Sequence, residues 1–431
     1  MSRAMHSGGG QRYGRLVAAL LLASLAIDLV RVWHITSHHD LDVFLLAAQR
    51  IVYGEDIYAD TSTFRAEIES GHFSLRDDSV VWPYAYAPTI ALVFAPFQAL
   101  PKPLIHAAWW GLNVAAWLWG SWLCVRIAGG PSAWQVAIVA LALYRFQPAV
   151  AALRLGQIEL LQYLLIVLAL WALQRNREAL GGILIGVTTA LKFFPGALVA
   201  LFLWRRRWHA AFWAIGSAGV LILGAYAIVG WDALSTYLDY ADMYGIGGAF
   251  AAFPLNQSLN GFFSRNLVAN AFSATLKGWH RPALARALVW GSSLLLITVS
   301  ARLTWHPQRW PIYPTPHDRE RFAFEYALGV TTLLIVSPHS QTYALVWLLI
   351  PLILLASWLL SPMNIERSGP MWPGLVIAYL AVGRDYVLFR PGLTRIVQAH
   401  YLIGMLLLWG LLALVLWRSH RPAALVGHKG G

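Results

Sequence analysis

Two aspartates, Asp40 and Asp42, stand in the stretch His39-Asp40-Leu41-Asp42-Val43-Phe44, just after an apolar run that ends near Trp33. A carboxylate held there could take a proton from a hydroxyl group, the task of a general base. The same acids could instead solvate a loop or cap a helix starting near Val43, since aspartate is a favoured N-cap. A lysine, Lys192, sits in Ala190-Leu191-Lys192-Phe193-Phe194-Pro195, near the middle of an apolar segment and beside a helix-breaking proline. An ammonium at that depth is costly without a partner, so it reads as a group that holds a lipid-borne phosphate. The plainer alternative is a lysine whose stem snorkels to the interface. Further polar groups fall at the same expected side of the chain. Tyr86 lies in Tyr84-Ala85-Tyr86, Gln157 follows Gly156, Asn256 and Ser258 sit in Asn256-Gln257-Ser258-Leu259-Asn260, and His339 sits in Ser337-Pro338-His339-Ser340. Gln157 could hydrogen-bond a sugar or simply open a helix. Asn256 and Ser258 could bind hydroxyls or satisfy their own loop backbone. His38 and His39 beside the two aspartates could form a divalent-metal site, but they match no specific metal-ligand spacing, so no metal ligand is assigned and the metal requirement stays open.

The setting of these groups is a membrane. Of 431 residues, 58% are hydrophobic and only 12% charged, where a soluble domain carries about 25% charged residues. Apolar runs near helical spanning length recur from end to end. The net charge of +12 comes from short clusters between those runs, among them Arg126, Arg175 with Arg177, and Arg205 to Arg207. That pattern is positive-inside retention and predicts membrane lipids, not nucleic acid, as the partner. The single cysteine, Cys124, excludes an intrachain disulfide and a cysteine-based metal cluster. No Walker loop, GxSxG elbow, HExxH or dinucleotide fingerprint is present, so no nucleotide, nicotinamide or other cofactor is implied.

The charge pattern sets an expected topology. Arg3, Arg12 and Arg15 place the N-terminus in the cytoplasm, and the run Leu16 to Val32 reads as a retained first helix. The acidic stretch that follows opens a first outer loop over residues 34–103, with Tyr86 to Leu100 lying in or dipping into the outer interface. A second outer loop covers 230–282. Leu180 to Trp204 has basic residues at both ends, which predicts a hairpin of two short helices broken around Lys192–Pro195. The expected fold is an all-α polytopic membrane protein with about twelve membrane helices, both termini cytoplasmic, forming one integral membrane domain over residues 1–431.

The order of the motifs resembles the C-type (GT-C) glycosyltransferases, specifically glycosyltransferase family 87. The resemblance runs from Asp40-Leu41-Asp42-Val43-Phe44 and Gly54-Glu55-Asp56-Ile57-Tyr58, through Tyr86-Ala87-Pro88, Gly156-Gln157 and Lys192 with Pro195, to Asn256-Gln257-Ser258-Leu259-Asn260-Gly261 and Ser337-Pro338. It implies a polyprenol-phosphate-mannose-dependent alpha-mannosyltransferase in a plasma or inner membrane. Such an enzyme moves a sugar, with inversion, from a polyprenyl-phosphate donor to a hydroxyl of a glycolipid or glycan acceptor on the outer face. The resemblance assigns the catalytic base to Asp40. Donor or acceptor binding then falls to Asp42, Tyr86, Gln157, Lys192, Asn256, Ser258, His339 and Tyr343. The chain departs from the family pattern at Tyr86-Ala87-Pro88 and after Ser337-Pro338, where Gln341 and Tyr343 stand in place of an aromatic residue followed by histidine. A secondary transporter or a lipid-linked sugar flippase is the competing reading; a transporter would show inverted repeats with broken helices in matching positions of its two halves.

Overall fold

The computed structural model describes residues 8–69, 82–270, 272, 280–305, 315–361, 369–385 and 398–419. Among them every regular element is a helix, and the only strand-like contact is a bridge between Asn256 and Gln341. In hydrocarbon each backbone amide must be satisfied within its own segment, and helices do this. The N-terminal cluster is described only in part: Arg3 lies outside the described residues.

The first helix, α1 (Gly8–His34), is followed by the short helices of the first loop: α2 (His39–Tyr53), α3 (Thr61–Glu69) and α4 (Pro88–Phe94), the last running into a 3-10 turn at Ala95–Phe97. Then come α5 (Lys102–Ile127), α6 (Ala133–Leu143), α7 (Gln147–Leu155), α8 (Glu159–Leu173) and α9 (Glu178–Leu191). A 3-10 turn at Phe194–Ala197 leads into α10 (Leu198–Trp204), and α11 (Trp208–Val229) follows. The second loop carries α12 (Asp232–Asp242) and α13 (Leu259–Leu267). The chain ends in α14 (Pro282–Leu303), α15 (Pro316–Val336), a 3-10 segment Thr342–Leu348 continued by α16 (Leu349–Leu360), α17 (Met371–Gly383) and α18 (His400–Ser419).

Depth in the bundle follows composition. Apart from Glu159 and Gln162, α8 is apolar nearly all round, and its side chains are buried or half-buried from Glu159 to Leu173, the behaviour of a helix enclosed by others. The Thr342–Leu360 segment is enclosed likewise. By contrast, α11 and α14 leave Phe212, Ile215, Val220, Leu223, Trp290, Leu294 and Leu295 exposed. A row of bare apolar side chains this long would be untenable in water and is ordinary against lipid tails.

Length and composition qualify five helices among the described residues as full membrane spans, or six if the bent pair α6 and α7 counts as one. This is well short of the roughly twelve expected from apolar runs. Several runs fold as shorter pieces: α8, α9, α10 with its 3-10 turn, α17 and the α4 segment are apolar but too short to qualify. A run of apolar letters does not reveal where a proline or glycine will break it.

The break at Lys192 appears as expected. α9 ends at Lys192, and the return limb brings Arg207 back beside the start of α9, where its Nε donates to Glu178 Oε1 at 2.7 Å. Arg207 Nη2 also donates to the carbonyl of Leu173, the last residue of α8, at 2.7 Å. The two limbs therefore begin and end at the same end of the bundle. α9 is pinned against α11 through Gly182 and Gly186: a Cβ at Gly182 would meet the Ala210 carbonyl oxygen at 2.3 Å, and one at Gly186 would meet Ser217 Oγ at 1.9 Å. Small residues four apart let two helix backbones approach closely, and here they fix the height of the Lys192 tip.

The bundle thus has two unlike ends. At one, Arg205 and Arg321 pair with Glu325 at 3.2 and 3.0 Å, and Arg207 pairs with Glu178. At the other end of α8 stands Glu159. Fifteen helical residues separate the two ends by about 22 Å.

Candidate active site

Asp40 occupies the first turn of α2. The start of this helix is stapled to the end of α7: the amides of Ser37 and His38 donate to the Arg154 carbonyl at 2.9 and 3.0 Å. His38 takes a left-handed backbone, φ 55°, to make the corner. α7 ends on Gly156, φ 74°, and a Cβ there would lie 2.7 Å from Cβ of Leu41. Only glycine satisfies both that torsion and that approach. The outcome is that Gln157, buried in the next position, faces Asp40 and donates from Nε2 to Oδ2 at 2.5 Å. The other carboxylate oxygen lies 3.3 Å from His39 Nδ1. That contact raises the His39 pKa above its usual value, ahead of the opposing effect of burial. Asp40 keeps 23% of its side-chain surface exposed, so the carboxylate is oriented without being sealed.

Gln157 joins Asp40 to an aromatic cage. Its Nε2 lies 3.2 Å from the Tyr86 hydroxyl. Tyr86 is held in place by its neighbours: its carbonyl accepts from the Tyr58 hydroxyl at 2.7 Å, and its ring meets Phe44 of α2 edge-on at 5.0 Å. Burial, with the nearby charges of Glu159 and Asp40, keeps the Tyr86 phenol protonated far above the ordinary tyrosine range. Lys192 Nζ then lies 5.1 Å from the Tyr86 ring centre and 5.0 Å from that of Tyr343, a double cation–π seat. Its ammonium is also paired with Glu159, a fully buried carboxylate at the start of α8.

The remaining predicted residues divide. His339 lies close by: the charge of Lys192 acts on its ring, which meets Tyr244 edge-on at 4.8 Å. Burial first, then the charges of Lys192 and Arg265, push the imidazole pKa down to about 3, so the ring is neutral. Asn256 and Ser258 are fully buried and spend their polar groups on the backbone of the His339 turn. Asn256 Nδ2 donates to the Pro338 carbonyl at 3.0 Å, and its Oδ1 accepts from the Ser340 amide at 3.0 Å and the Ser258 hydroxyl at 2.8 Å. Asn260 Nδ2 reaches the same carbonyl at 2.9 Å. These residues bind the second loop to the turn that carries His339. Asp42 faces away from the cage, toward α5, with His106 Nε2 at 3.0 Å and Lys102 Nζ at 3.5 Å.

The first and second loops also pack on each other. Phe64 of α3 forms one cluster with Tyr240, Met243, Phe250 and Phe253 of the second loop, with Trp82 against it. Among the described residues no group of three or more His, Cys, Asp or Glu is arranged to hold a metal ion. Glu159, Tyr244 and Arg265 receive no role from the sequence alone. The signal for Glu159 was available, since an acid that opens a largely apolar run needs a cation, and Lys192 is an isolated one. Nothing in the letters marked Arg265.

This end of the bundle holds an oriented carboxylate, a caged ammonium and buried hydroxyl and imidazole groups, a set suited to moving a proton while steadying an anion. The description of glycosyltransferase family 87 matches residues 84–338, which includes Tyr86, Gln157, Lys192, Asn256 and Ser258. The chain belongs to glycosyltransferase family 87. It is a membrane glycosyltransferase, and its apolar, lipid-facing helices fit that class. Asp40, Asp42, His339 and Tyr343 lie outside the matched stretch. Among curated relatives, the polyprenol-phosphate-mannose-dependent alpha-(1-2)-phosphatidylinositol pentamannoside mannosyltransferase of Mycobacterium tuberculosis is 28% identical over 331 residues, 74% of this chain and 69% of that protein. The protein of the same description from Mycolicibacterium smegmatis is 28% identical over 349 residues, 78% of this chain and 76% of its own length. A polyprenol-phosphate-mannose-dependent alpha-(1-2)-phosphatidylinositol mannoside mannosyltransferase of Mycobacterium tuberculosis is 26% identical over 280 residues, 59% of this chain and 62% of that protein. No solved structure matches the chain.

Proposed function

We propose that this family 87 enzyme transfers mannose from a polyprenyl-phosphate carrier to a hydroxyl of a glycolipid acceptor, at the outer face of the membrane and with inversion. The observation that carries this reading is the seat of Asp40: part-exposed, oriented by Gln157, and one residue removed through Tyr86 from the caged Lys192. In the proposed step Asp40 takes the acceptor proton as the hydroxyl oxygen bonds to the anomeric carbon. The bond from that carbon to the phosphate oxygen breaks, and the lipid phosphate leaves with the electron pair. Lys192 and the Tyr86 hydroxyl steady the charge gathering on that phosphate. A donor held in the bilayer arrives oriented and locally concentrated. The names of the relatives support mannose, the polyprenyl-phosphate carrier and a phosphatidylinositol mannoside type of acceptor. The outer face is supported by charge, because the arginine end of the bundle lies opposite the site and cationic ends stay in the cytoplasm.

A transporter would gather its polar groups around a site near mid-membrane. Here Glu159 opens α8, Lys192 closes α9 and His339 follows α15, so the polar groups collect at one end. The test is purified enzyme in lipid nanodiscs with radiolabelled polyprenyl-phosphate mannose and a panel of mannosylated lipid acceptors, with and without chelator. Labelled acceptor is the expected product. Transfer from a nucleotide sugar instead, or none from the lipid donor to any acceptor, would overturn the reading.

A further inference from the structure

Arg265 of α13 is 5% exposed and stands beyond the machinery described above. Its Nη1 donates to the carbonyls of Phe253 and Asn256 at 3.0 and 2.6 Å, which fixes the guanidinium in one orientation. Its Nη2 is buried and has no hydrogen-bond partner, and among the described residues no carboxylate lies within ion-pair distance. A sealed positive charge left without a counter-charge is expensive. The cost shows in its acidity, which burial alone moves down to about 10.

A second unpartnered group stands nearby. Asn256, whose carbonyl Arg265 holds, also grips Pro338 and Ser340 on either side of His339. The His339 ring lies within electrostatic reach of both Arg265 and Lys192. Gln341 Nε2 donates to His339 Nε2 at 2.8 Å, so the proton of the neutral ring is on Nδ1. That Nδ1 is buried and unpartnered too. Both orphaned groups are therefore donors, and one of them belongs to a cation. What is missing from each is an acceptor, and what is missing from the pair is a negative charge. Water would supply the first but not the second. Lys192 differs, since Glu159 already balances it.

We infer that Arg265 and His339 form a binding site for an anionic phosphate oxygen of a lipid substrate, separate from the ammonium of Lys192. The inference rests on the proposed function for the kind of substrate and names the residues that would hold its charged group. Two sources share this chemistry: the phosphate of the polyprenyl carrier, a diester until mannose leaves and a monoester afterwards, and the phosphodiester of a phospholipid-anchored acceptor. The fixed fork of a guanidinium suits either.

Binding separates the sources without requiring turnover. Wild-type enzyme and Arg265→Gln in nanodiscs are titrated with polyprenyl phosphate and, separately, with phosphatidylinositol, and affinity and thermal midpoint are read for each. A loss of at least about tenfold in affinity is expected for one lipid, with the other changed less than about twofold. Loss confined to polyprenyl phosphate assigns the carrier, and loss confined to phosphatidylinositol assigns the acceptor. Affinity for both lipids unchanged from wild type in a folded Arg265→Gln protein overturns the inference. Should that variant fail to fold through loss of its carbonyl contacts, a structure of the wild-type enzyme with each lipid decides. A phosphate oxygen within hydrogen-bond distance of Arg265 Nη2 supports the site, and phosphates seated elsewhere in both complexes overturn it. Failure of mannose transfer would remove the proposed function and leave these binding results standing, so the two can fail separately.

Discussion

Replacing Asp40 with asparagine tests the proposed chemistry most directly, because the structure shows that the change need not disturb the fold. Asp40 uses two side-chain contacts: Oδ2 accepts from Gln157 Nε2 at 2.5 Å, and Oδ1 lies 3.3 Å from His39 Nδ1. An amide in the same place can keep both, its oxygen accepting from Gln157 and its nitrogen donating to an unprotonated His39 Nδ1. No buried group is orphaned, so the stability cost should stay within the usual surface range of about 0.5 kcal/mol. The amide has no useful basicity, and the acceptor proton then has nowhere to go as the new bond forms. General-base catalysis contributes about 100- to 10,000-fold, which is about 3 to 5 kcal/mol of the barrier. Asp40→Asn should lower kcat by that factor while the donor KM moves less than about threefold, because the charged group of the donor is held by other residues. The assay is initial-rate transfer from radiolabelled polyprenyl-phosphate mannose, with thermal midpoints measured on the same preparations. A kcat within about threefold of wild type would refute the base assignment. A large rise in KM at constant kcat would recast Asp40 as a binding group.

Removing the cation of the caged pair with Lys192→Met leaves Glu159 buried without its partner and should cost about 3 to 5 kcal/mol, read as a lowered thermal midpoint. Adding Glu159→Gln should recover most of that stability and none of the transfer activity; recovery of both would make the pair structural only. Gly156→Ala forces a left-handed torsion on alanine and a 2.7 Å contact with Leu41, so it should destabilise by about 2 to 4 kcal/mol and lower kcat by parting Asp40 from Gln157. Wild-type stability in a calorimeter with no loss of kcat would show that the turn can relax. Because the His39 pKa is raised in the fold, the His39–Asp40 contact stabilises the protein fully below about pH 6.5 and loses that effect as pH rises through the raised value. The thermal midpoint of wild type relative to His39→Gln should thus decline from pH 6 to pH 8, by little, since the imidazole is 45% exposed. A gap that widens with pH would reverse the sign of the argument.

The parts of this site that could be read from the letters are those where one residue type is nearly incompatible with its surroundings. Lys192 beside Pro195 in an apolar run had to be a break or a mistake, and the structure makes it a break whose two limbs return to one end. Asp40 and Gln157 could each be named from the family resemblance. Their hydrogen bond could not, because it depends on a 117-residue separation closed by one glycine torsion. Asn256 and Ser258 show the opposite limit. As letters they are sugar-binding types, but in the fold their polar atoms are committed to the backbone of residues 338–340, and sequence carries no record of which partner a loop amide selects. The number of spans was illegible for a related reason. Hydropathy reports how much of a segment avoids water, whereas α8 avoids it inside protein and α11 avoids it against lipid.

That difference also explains why so short a helix can anchor the site. α8 is too short to qualify as a span, yet its first residue supplies the buried acid for Lys192 and its last carbonyl receives Arg207 from the hairpin's far limb. A helix enclosed by others need not match the bilayer thickness, because protein at each end satisfies the freed backbone. Tyr86, Tyr343 and Lys192 gather at its polar start, where Lys192 pairs with Glu159. Shortening the central helix and breaking its neighbour at Lys192 therefore produce one result: Glu159, Lys192, Tyr86 and Tyr343 meet at one end of the bundle, within one glutamine of Asp40.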